Sequence, residues 1–219
     1  MAYSIIIPIH NEENQIPILL EILKPYSTSN EIIIIDDGSS DNSQILLNNC
    51  SFITVVKHTH KMGKGKAILS GIEQSFNEKI ILFDGDMELN PLDLKSVMIL
   101  NKNENIDGVF ASRINNLSPL NTLFDFGNFF LNGLFNLINQ TEFSDVLCGC
   151  KAFYKSDLSM SLPTAVGFDI DVEIASILVK KKCNINEVPI SYTRRTYADG
   201  KKLSIMDGWT VLKRIIFSS

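Results

Sequence analysis

The stretch EIIIIDDG, residues 31–38, decides the fold of this chain. Four successive isoleucines indicate a strand that is buried on both faces, and Asp-Asp-Gly is typical of the turn that ends such a strand. A second apolar run, Ser4–Ile9, ends in the same way at His10 and Asn11. The segment between the two runs, Glu12–Leu23, has its apolar residues at the spacing of an amphipathic helix. These features predict a βαβ unit.

The same alternation of strands and helices continues along the chain. Helices are predicted from about Ser43 and over Lys64–Phe76, and strands over Phe52–Lys57 and Lys79–Phe83. Later elements are a strand near Gly108–Ser112, a helix from about Asp169 to Lys180 and a strand near Asn186–Tyr192. Such alternation predicts a mostly parallel sheet with helices on both faces. We expect a single α/β domain, with a nucleotide-binding half over about residues 1–110 and an acceptor half over about residues 111–219.

The composition is that of an ordinary globular protein and limits its partners. The chain has 219 residues, 45% hydrophobic and 21% charged, and a formal net charge of -5. Nucleic acid is not an expected partner, because its binding depends on Lys and Arg that neutralise phosphates. The four cysteines lack C-x-x-C spacing, and the sequence shows neither a signal peptide nor an apolar run of about 20 residues. We expect a cytoplasmic protein whose membrane contact is at most peripheral.

Polar residues follow three of the predicted strands. Asn11, the pair Asp36 and Asp37, and the segment Asp84–Asp86 each come directly after an apolar run. Because ligands of such sheets bind at the carboxyl ends of the strands, we expect these residues to meet. Asp84 and Asp86 can both reach a Mg²⁺ or Mn²⁺ that bridges to a diphosphate, while the glycine between them lets the backbone approach a phosphate. The alternative is a solvated turn, since Asp-Gly is a common turn pair.

Two further segments of the first half suit a nucleotide. Asp36 is placed to hydrogen-bond a base or ribose, as acidic residues at strand ends do in dinucleotide-binding folds. The alternative is that Ser40 or Asp41 simply caps the next helix. Residues 60–67, HKMGKGKA, begin a helix with two glycines and three lysines, so backbone N–H groups and Lys64 favour an anion there. A solvated, lysine-rich loop is the alternative for this segment.

Charged residues of the second half suit an acceptor site. Residues 167–173 place carboxylates at Asp169, Asp171 and Glu173. The helix dipole favours such charges at a helix start, and one of them could instead act on an acceptor as a general base or an orienting group. The spacing does not choose among the three. A later basic run, residues 194–202, would close over a diphosphate or form charged surface.

Three ordered motifs stand out in the first half: SIIIPIHNEE at residues 4–13, IDDGS at 35–39 and DGD at 84–86. Together they resemble the signature of family 2 glycosyltransferases with the GT-A fold, over at least residues 4–203. The resemblance implies an inverting transferase that uses a divalent metal and a nucleotide-sugar donor. The segments Asp145–Phe153 and Phe168–Glu173 look most like the branch that transfers mannose or glucose to dolichyl or polyprenyl phosphate, which implies that acceptor class.

The residue patterns and the resemblance together assign roles to named residues. The predicted nucleotide-sugar contacts are Pro8, Asn11, Glu13, Asp36, Asp37, Lys64, Asp84 and Gly85. The predicted ligands of the Mg²⁺ or Mn²⁺ are Asp84, Asp86 and Glu88. The predicted acceptor or phosphate contacts are Arg113, Lys151, Arg195 and Lys202. The candidate catalytic residues are Asp86, Asp171, Asp169 and Glu173.

Other acceptors and other functions stay open at this point. The chain has no Lys or Arg between Arg113 and Lys151, where the polyprenyl-phosphate branch usually offers one, so a hydroxyl acceptor on a glycan is the alternative. The phenylalanines of residues 124–135 predict either a membrane-interface helix face or core packing. Alternatives from other classes are a non-catalytic nucleotide-binding regulator and a nucleotidyltransferase that releases pyrophosphate.

Overall fold

The computed structural model describes residues 2–113, 122–158, 161–195 and 205–217. The strands are β1 Tyr3–Ile9, β2 Glu31–Asp36, β3 Thr54–Lys57, β4 Lys79–Leu82, β5 Gly108–Ser112, β6 Lys151–Tyr154 and β7 Ile185–Pro189. The helices are α1 Ile16–Leu23, α2 Ser43–Asn48, α3 Lys64–Gln74, α4 Leu94–Val97, α5 Leu123–Asn139, α6 Ile170–Lys180 and α7 Ile205–Phe217. The strands form one sheet in the order β3-β2-β1-β4-β6-β5-β7.

The sheet is mostly parallel, which confirms the predicted α/β class. β1 pairs in parallel with β2 and β4, β2 with β3, and β5 with β7. β6 runs antiparallel to both of its neighbours, β4 and β5. β6 was not predicted, because four residues directly after a turn are too few to show a period. Since β1, β2 and β4 are parallel, the polar residues that follow them meet at one edge of the sheet.

Both faces of the sheet are buried, which explains the unbroken isoleucine runs. Successive residues of a strand point to opposite faces, so Ile5 and Ile7 enter one core and Ile6 enters the other. The first core includes Leu19 of α1, and the second includes Ile68 of α3. With a core on each side, no position within the runs is left for a polar side chain.

The loop after β1 is longer than predicted. The helix expected over Glu12–Leu23 begins only at Ile16, with a proline in its first turn. Proline suits that position because it has no N–H group to leave unpaired. Asn11 takes a left-handed conformation with φ of 52°, which asparagine tolerates better than most residues. Residues 10–15 are therefore loop at the carboxyl edge of the sheet.

Two helices cover the side of the sheet that carries β5 and β6. α5 begins after Thr122, whose side-chain oxygen accepts a hydrogen bond from the backbone N–H of Asp125. α7 packs against both α5 and α6. α7 was not predicted, although Asp207 in its first turn and Arg214 in its last turn follow the usual charge pattern of a helix. In the part of the chain that the structure describes, no helix is long and apolar enough to cross a membrane.

Candidate active site

A cavity of about 680 Å³ opens at the carboxyl edge of the sheet. Its polar part is lined by residues that the sequence predicts for the site: Pro8, Asp37, Lys64, Asp84, Gly85, Asp86, Glu88, Arg113, Asp171 and Arg195. Its apolar part is lined by side chains of α5, of α7 and of the loop before β6: Phe124, Phe126, Phe130, Leu131, Leu147, Trp209, Val211 and Leu212. The cavity therefore suits a ligand with a strongly charged portion and a hydrocarbon portion.

Lys64 joins the two halves of the chain inside this cavity. Its Nζ lies 2.7 Å from Asp84 Oδ1, which follows β4, and 2.9 Å from Asp171 Oδ2 on α6. Burial acts to lower the pKa of Lys64, but the carboxylates of Asp171 and Asp84 outweigh it and raise that pKa above its ordinary value. A Cβ at Gly149 would collide with the Asp84 carboxylate and crowd Nζ. The ammonium is thus held charged between the two carboxylates.

Asp86 lies among several other carboxylates. Burial raises the pKa of Asp86 to about 7, and the charges of Asp84, Glu88 and Glu12 add to the shift. Arg195 partly balances this charge: its Nη1 donates to Glu12 Oε2 at 2.9 Å and to the Asp86 carbonyl at 3.2 Å. The Glu88 side chain accepts from the backbone N–H of Arg195 at 3.0 Å. Negative charge is therefore in excess around Asp86.

These carboxylates fit a divalent cation that shares its coordination with a substrate. Across residues 2–113, 122–158, 161–195 and 205–217, no group of three His, Cys, Asp or Glu side chains stands ready to hold a metal ion. Mg²⁺ is commonly bound by one or two carboxylates together with substrate phosphates, so a complete protein cage is not required. The oxygen-only ligands and the excess charge around Asp86 meet that requirement.

Asp36, the last residue of β2, and Asp37, which follows it, differ in which of their carboxylate oxygens have hydrogen-bond partners. Asp36 is fully buried, and its Oδ1 accepts from Ser39 N–H at 3.0 Å. Its Oδ2 has no hydrogen-bond partner among the described residues. Both oxygens of Asp37 are used, by the backbone N–H groups of Met62 and Gly63 at 2.8 Å and by the His58 ring at 2.7 Å. Asp36 therefore keeps an acceptor atom but is not among the residues that line the cavity, whereas Asp37 lines the cavity and holds the loop that precedes α3.

Asn11 and Glu13, both predicted to contact the nucleotide, are bonded to the loop after β2. The Asn11 side chain accepts from Ser40 N–H at 2.7 Å, and Glu13 accepts from Asn42 N–H at 3.0 Å. Neither residue is among those that line the cavity. Their contacts hold the loops after β1 and β2 together beside it.

Two arginines of the cavity lining lie close to the ring of Tyr192. Arg113 forms a two-pronged ion pair with Asp145, at 2.7 Å through Nε and 2.9 Å through Nη2. Arg194 is paired with Asp125 of α5. The two guanidinium carbons lie 5.4 and 6.0 Å from the centre of the Tyr192 ring. Arg194 was predicted only as part of a basic run, and its approach to α5 is visible only in three dimensions.

The three candidate carboxylates of α6 have different surroundings. Asp171 lines the cavity and bonds Lys64, and its Oδ1 has no hydrogen-bond partner within the described residues. Burial raises the pKa of Asp171. Asp169 and Glu173 are bonded to Arg214 of α7, at 2.9 Å in each case, and are absent from the cavity lining. Only Asp171, of these three, is offered to a ligand.

One predicted acceptor contact, Lys151, is not brought to the cavity. Lys151 is fully buried, and its ammonium donates to the backbone carbonyls of Val146 and Cys148. This places it beneath the loop that carries Leu147 and Gly149, where it supports lining residues rather than joining them. Lys202 lies outside the described residues.

The predicted aromatic segment is divided between core and surface. Phe135 is fully buried, whereas Phe126 and Phe130 are more than half exposed. Core packing therefore holds for Phe135, whereas Phe126 and Phe130 belong to an exposed face of α5 whose contact with a membrane stays a prediction. The apolar residues of α7 that complete the cavity were missed because that helix was not predicted.

Comparison with known proteins identifies the family of this chain. Residues 4–162 match a family model described as Glycosyl transferase family 2. The chain is 27% identical over 236 residues to the UDP-N-acetylglucosamine–dolichyl-phosphate N-acetylglucosaminyltransferase of Methanococcus voltae, in a match that covers 97% of this chain and 94% of that protein. It is 29% identical over 212 residues to glycosyltransferase AglJ of Haloferax volcanii, covering 94% of this chain and 68% of that one.

Solved structures support the GT-A fold. Glucosyl-3-phosphoglycerate synthase from Mycobacterium tuberculosis in complex with UDP superimposes with a TM-score of 0.76 at 18% identity, covering 99% of this chain and 79% of that chain. The same enzyme with Mn²⁺, UDP and glucosyl-3-phosphoglycerate gives a TM-score of 0.75 at 19% identity, with the same coverage. At this level of identity the likeness concerns the fold.

Proposed function

The chain belongs to glycosyl transferase family 2, and from that premise we propose that it transfers a sugar from a nucleotide diphosphate donor to a polyprenyl or dolichyl phosphate. The observation that carries this proposal is the division of the cavity into a charged part and an apolar part. A donor diphosphate fits the first, and the first isoprene units of a lipid phosphate fit the second. The relatives named above support a UDP-linked sugar as the first donor to test, with GDP-linked sugars second.

The donor would be held by residues that follow β1, β2 and β4. Asp36 would accept from a base or ribose N–H or O–H group through its Oδ2, which is buried next to the lining residue Asp37 and has no hydrogen-bond partner among the described residues. Asp86, with Asp84, would hold Mg²⁺ or Mn²⁺, which when bound stabilises negative charge on the departing diphosphate. Lys64 keeps the Asp84 carboxylate oriented at 2.7 Å. Transfer by a single displacement, with the acceptor attacking from the side opposite the diphosphate, gives inversion at the anomeric carbon.

Arg113 and Arg194 supply the positive charge that a phosphate acceptor needs. Each guanidinium is held by a buried carboxylate, Asp145 or Asp125, so its position is set before a ligand arrives. Arg194 reaches α5 from a distant part of the chain. It thereby offers the second basic residue that the sequence lacks between Arg113 and Lys151. A phosphate monoester is already ionised near neutral pH, so this acceptor requires orientation rather than a general base.

A hydroxyl acceptor is the second candidate, and Asp171 is the observation that favours it. A hydroxyl must lose its proton as it attacks, and the buried, unpartnered Oδ1 of Asp171 is placed in the cavity to accept one. The raised pKa of Asp171 agrees with such a role. With a phosphate acceptor, the same carboxylate serves to hold Lys64 instead.

Release of nucleoside diphosphate separates these two acceptors. The assay uses UDP- and GDP-sugars with Mn²⁺ or Mg²⁺, and adds either a short-chain polyprenyl phosphate or a sugar alcohol. Stimulation by the lipid phosphate is expected. Arg194→Gln should raise the KM for that acceptor about tenfold, because one charge-assisted contact is lost, and should leave the KM for the donor unchanged. Lys102→Gln, at an exposed residue outside the cavity lining, is the matched control. If only the sugar alcohol stimulates release, the acceptor is a hydroxyl compound and not a lipid phosphate.

A membrane-facing surface is consistent with a lipid acceptor. The outer faces of α5 and α7 expose apolar side chains beside the cavity: Phe126, Phe130, Leu137, Met206, Trp209 and Phe217. We propose that these helices lie in the interface of a membrane, with the cavity opening toward the lipid. A cluster of this kind is unusual on a monomer that meets only water.

Substitution of one exposed phenylalanine tests this surface. Phe217→Ser should lower the fraction of protein that sediments with phospholipid vesicles about tenfold, because one buried aromatic side chain is lost from the interface. Phe76→Ser is the matched control: Phe76 is 87% exposed against 82% for Phe217, but it lies at the end of α3. Equal losses for both variants, or none for either, would contradict the proposed surface.

A further inference from the structure

Arg214, in the last turn of α7, donates hydrogen bonds to both Asp169 and Glu173, which lie on either side of Asp171 in the sequence. Its Nε donates to Asp169 Oδ2 at 2.9 Å, and its Nη1 donates to Glu173 Oε1 at 2.9 Å. Nη1 also lies 3.2 Å from Thr164 Oγ1, in the segment before α6. The Asp169 and Glu173 side chains are almost fully buried. One guanidinium therefore contacts two buried carboxylates, which lie two residues before and two residues after Asp171.

The segment that Arg214 fixes lies directly over the charged part of the cavity. Glu173 also accepts from the backbone N–H groups of Thr164 and Ala165, at 2.9 and 2.7 Å. The next residue, Val166, accepts from Gly65 N–H at 2.8 Å, beside Lys64. The ring of Phe168 lies 5.7 Å from Lys64 Nζ. The position of residues 164–171 therefore decides how Lys64 and Asp171 face each other.

The same arginine belongs to the helix that forms the apolar wall. Gly208, Trp209, Val211 and Leu212 of α7 line the cavity, one to two turns before Arg214. We infer that Arg214 is a positioning residue that keeps this acceptor wall in register with Asp171 and Lys64. The inference rests on the proposed function, since it assigns α7 to the acceptor. It adds a physical link between the place where the acceptor binds and the place where the donor reacts.

The shape of the guanidinium is essential to this role. Arginine presents several N–H groups in a planar fork and can hold both carboxylates at once, whereas a lysine ammonium is a compact point charge. Arg214→Lys keeps the charge but loses the double contact. Asp169 and Glu173 would then no longer be held in one fixed relation to α7. A small displacement of Asp171 relative to the acceptor is the expected consequence.

Steady-state kinetics with a short-chain polyprenyl phosphate test the inference. Arg214→Lys should lower kcat about 10- to 100-fold, because misplacement of reacting groups by about 1 Å has effects of that size. The dissociation constant for UDP should change less than about twofold, the range of an ordinary surface substitution. Lys213→Ala, the exposed neighbour on α7, is the control for a change of charge on this helix. A kcat within about twofold of the unchanged chain would overturn the inference.

A second variant and a second measurement cover the case in which Arg214→Lys does not fold. Glu173→Gln leaves the Arg214 contact to Asp169 and should lower kcat by a smaller factor than Arg214→Lys does.

Trp209 is the single tryptophan of the chain and lies on α7, so quenching of its fluorescence by acrylamide reports on that wall without any acceptor. Quenching should increase in both variants and not in Lys213→Ala. If the unchanged chain does not use lipid phosphate, the proposed function fails while the quenching result still decides the role of Arg214. The positioning role of Arg214 would be rejected if quenching is unchanged in both variants, or if the affinity for UDP falls in parallel with kcat.

Discussion

Replacing Asp86 by Asn is expected to reduce metal-dependent sugar transfer about a thousandfold, because a metal ion contributes several kcal/mol to stabilising the charge of the transition state. Asp86 lies among the charges of Asp84, Glu88 and Glu12, and the substitution removes its own charge while it keeps the size of the side chain. Turnover is measured with saturating donor and Mn²⁺ or Mg²⁺. Glu104→Gln, on the exposed surface, should retain full activity. Activity within tenfold of the unchanged chain would show that the metal, if used, is held elsewhere.

Asp86→Asn should lower turnover but raise the stability of the metal-free protein above neutral pH. Burial and the neighbouring carboxylates raise the pKa of Asp86 to about 7 from its ordinary 3.8. A raised pKa means that the folded state binds the proton more tightly, so this stabilisation is complete below the unfolded pKa and is lost as pH rises through about 7. With EDTA at pH 8, Asp86→Asn should therefore melt at a higher temperature than the unchanged chain, and the difference should shrink toward pH 5.

Added metal and donor should reverse that order at pH 8. A ligand that binds only the folded state raises the melting temperature, and the unchanged chain should gain this stabilisation while Asp86→Asn does not. A higher melting temperature for the variant in both conditions would mean that Asp86 carries an unfavourable charge without binding a cation.

Replacing Lys64 by Met should impair both stability and turnover. The ammonium lies between Asp84 and Asp171, at 2.7 and 2.9 Å, and its loss leaves the buried Asp171 carboxylate without its ion pair. Removing one partner of a buried pair typically costs several kcal/mol, and we expect the free energy of unfolding to fall by about 3 kcal/mol. Turnover should fall about 100-fold, the usual effect of deleting one preorganised charged group from a site. Urea unfolding and the diphosphate-release assay measure the two effects.

A matched lysine and a double substitution make the result for Lys64 specific. Lys66→Met, on the same helix but outside the cavity lining, should change neither quantity appreciably. Lys64→Met combined with Asp171→Asn should regain part of the lost stability, because the buried unpaired charge is removed, yet turnover should stay low. Recovery of turnover in the double variant would mean that Lys64 serves only to balance Asp171.

The strand-end residues show how much of the site is local. Asp36, Asp84 and Asp86 follow apolar runs that become parallel strands, and the rule that ligands bind at the carboxyl ends of such strands brings them to one edge without further information. The α/β class and the charged part of the cavity were predictable for this reason. Asn11 and Glu13 were matched by motif, but their side chains are bonded to the loop after β2. A motif indicates that a residue is needed near a site and does not distinguish contact from support.

Long-range contacts could not be predicted in this way. The meeting of Arg194 with Asp125, of Lys64 with Asp171 and of Arg214 with Glu173 depends on how α5, α6 and α7 pack. No spacing along the chain encodes these distances, since each pair is separated by tens of residues. The spacing of Asp169, Asp171 and Glu173 likewise could not show which of them faces the cavity. That is decided by Arg214, which bonds Asp169 and Glu173 and leaves Asp171 to the cavity.

The sequence by itself determined the mostly parallel α/β class and the acidic residues at the ends of its strands, because these follow from short periods and strand-end turns within single segments. Only the tertiary structure decided the part of the cavity that α5, α7 and the loop before β6 form. There, α7 supplies an apolar wall, two arginines lie close to Tyr192, and Lys151 is buried beneath a loop. The physical reason is that burial and ion pairing are properties of packed helices and loops, which bring together side chains whose separation along the chain carries no signal.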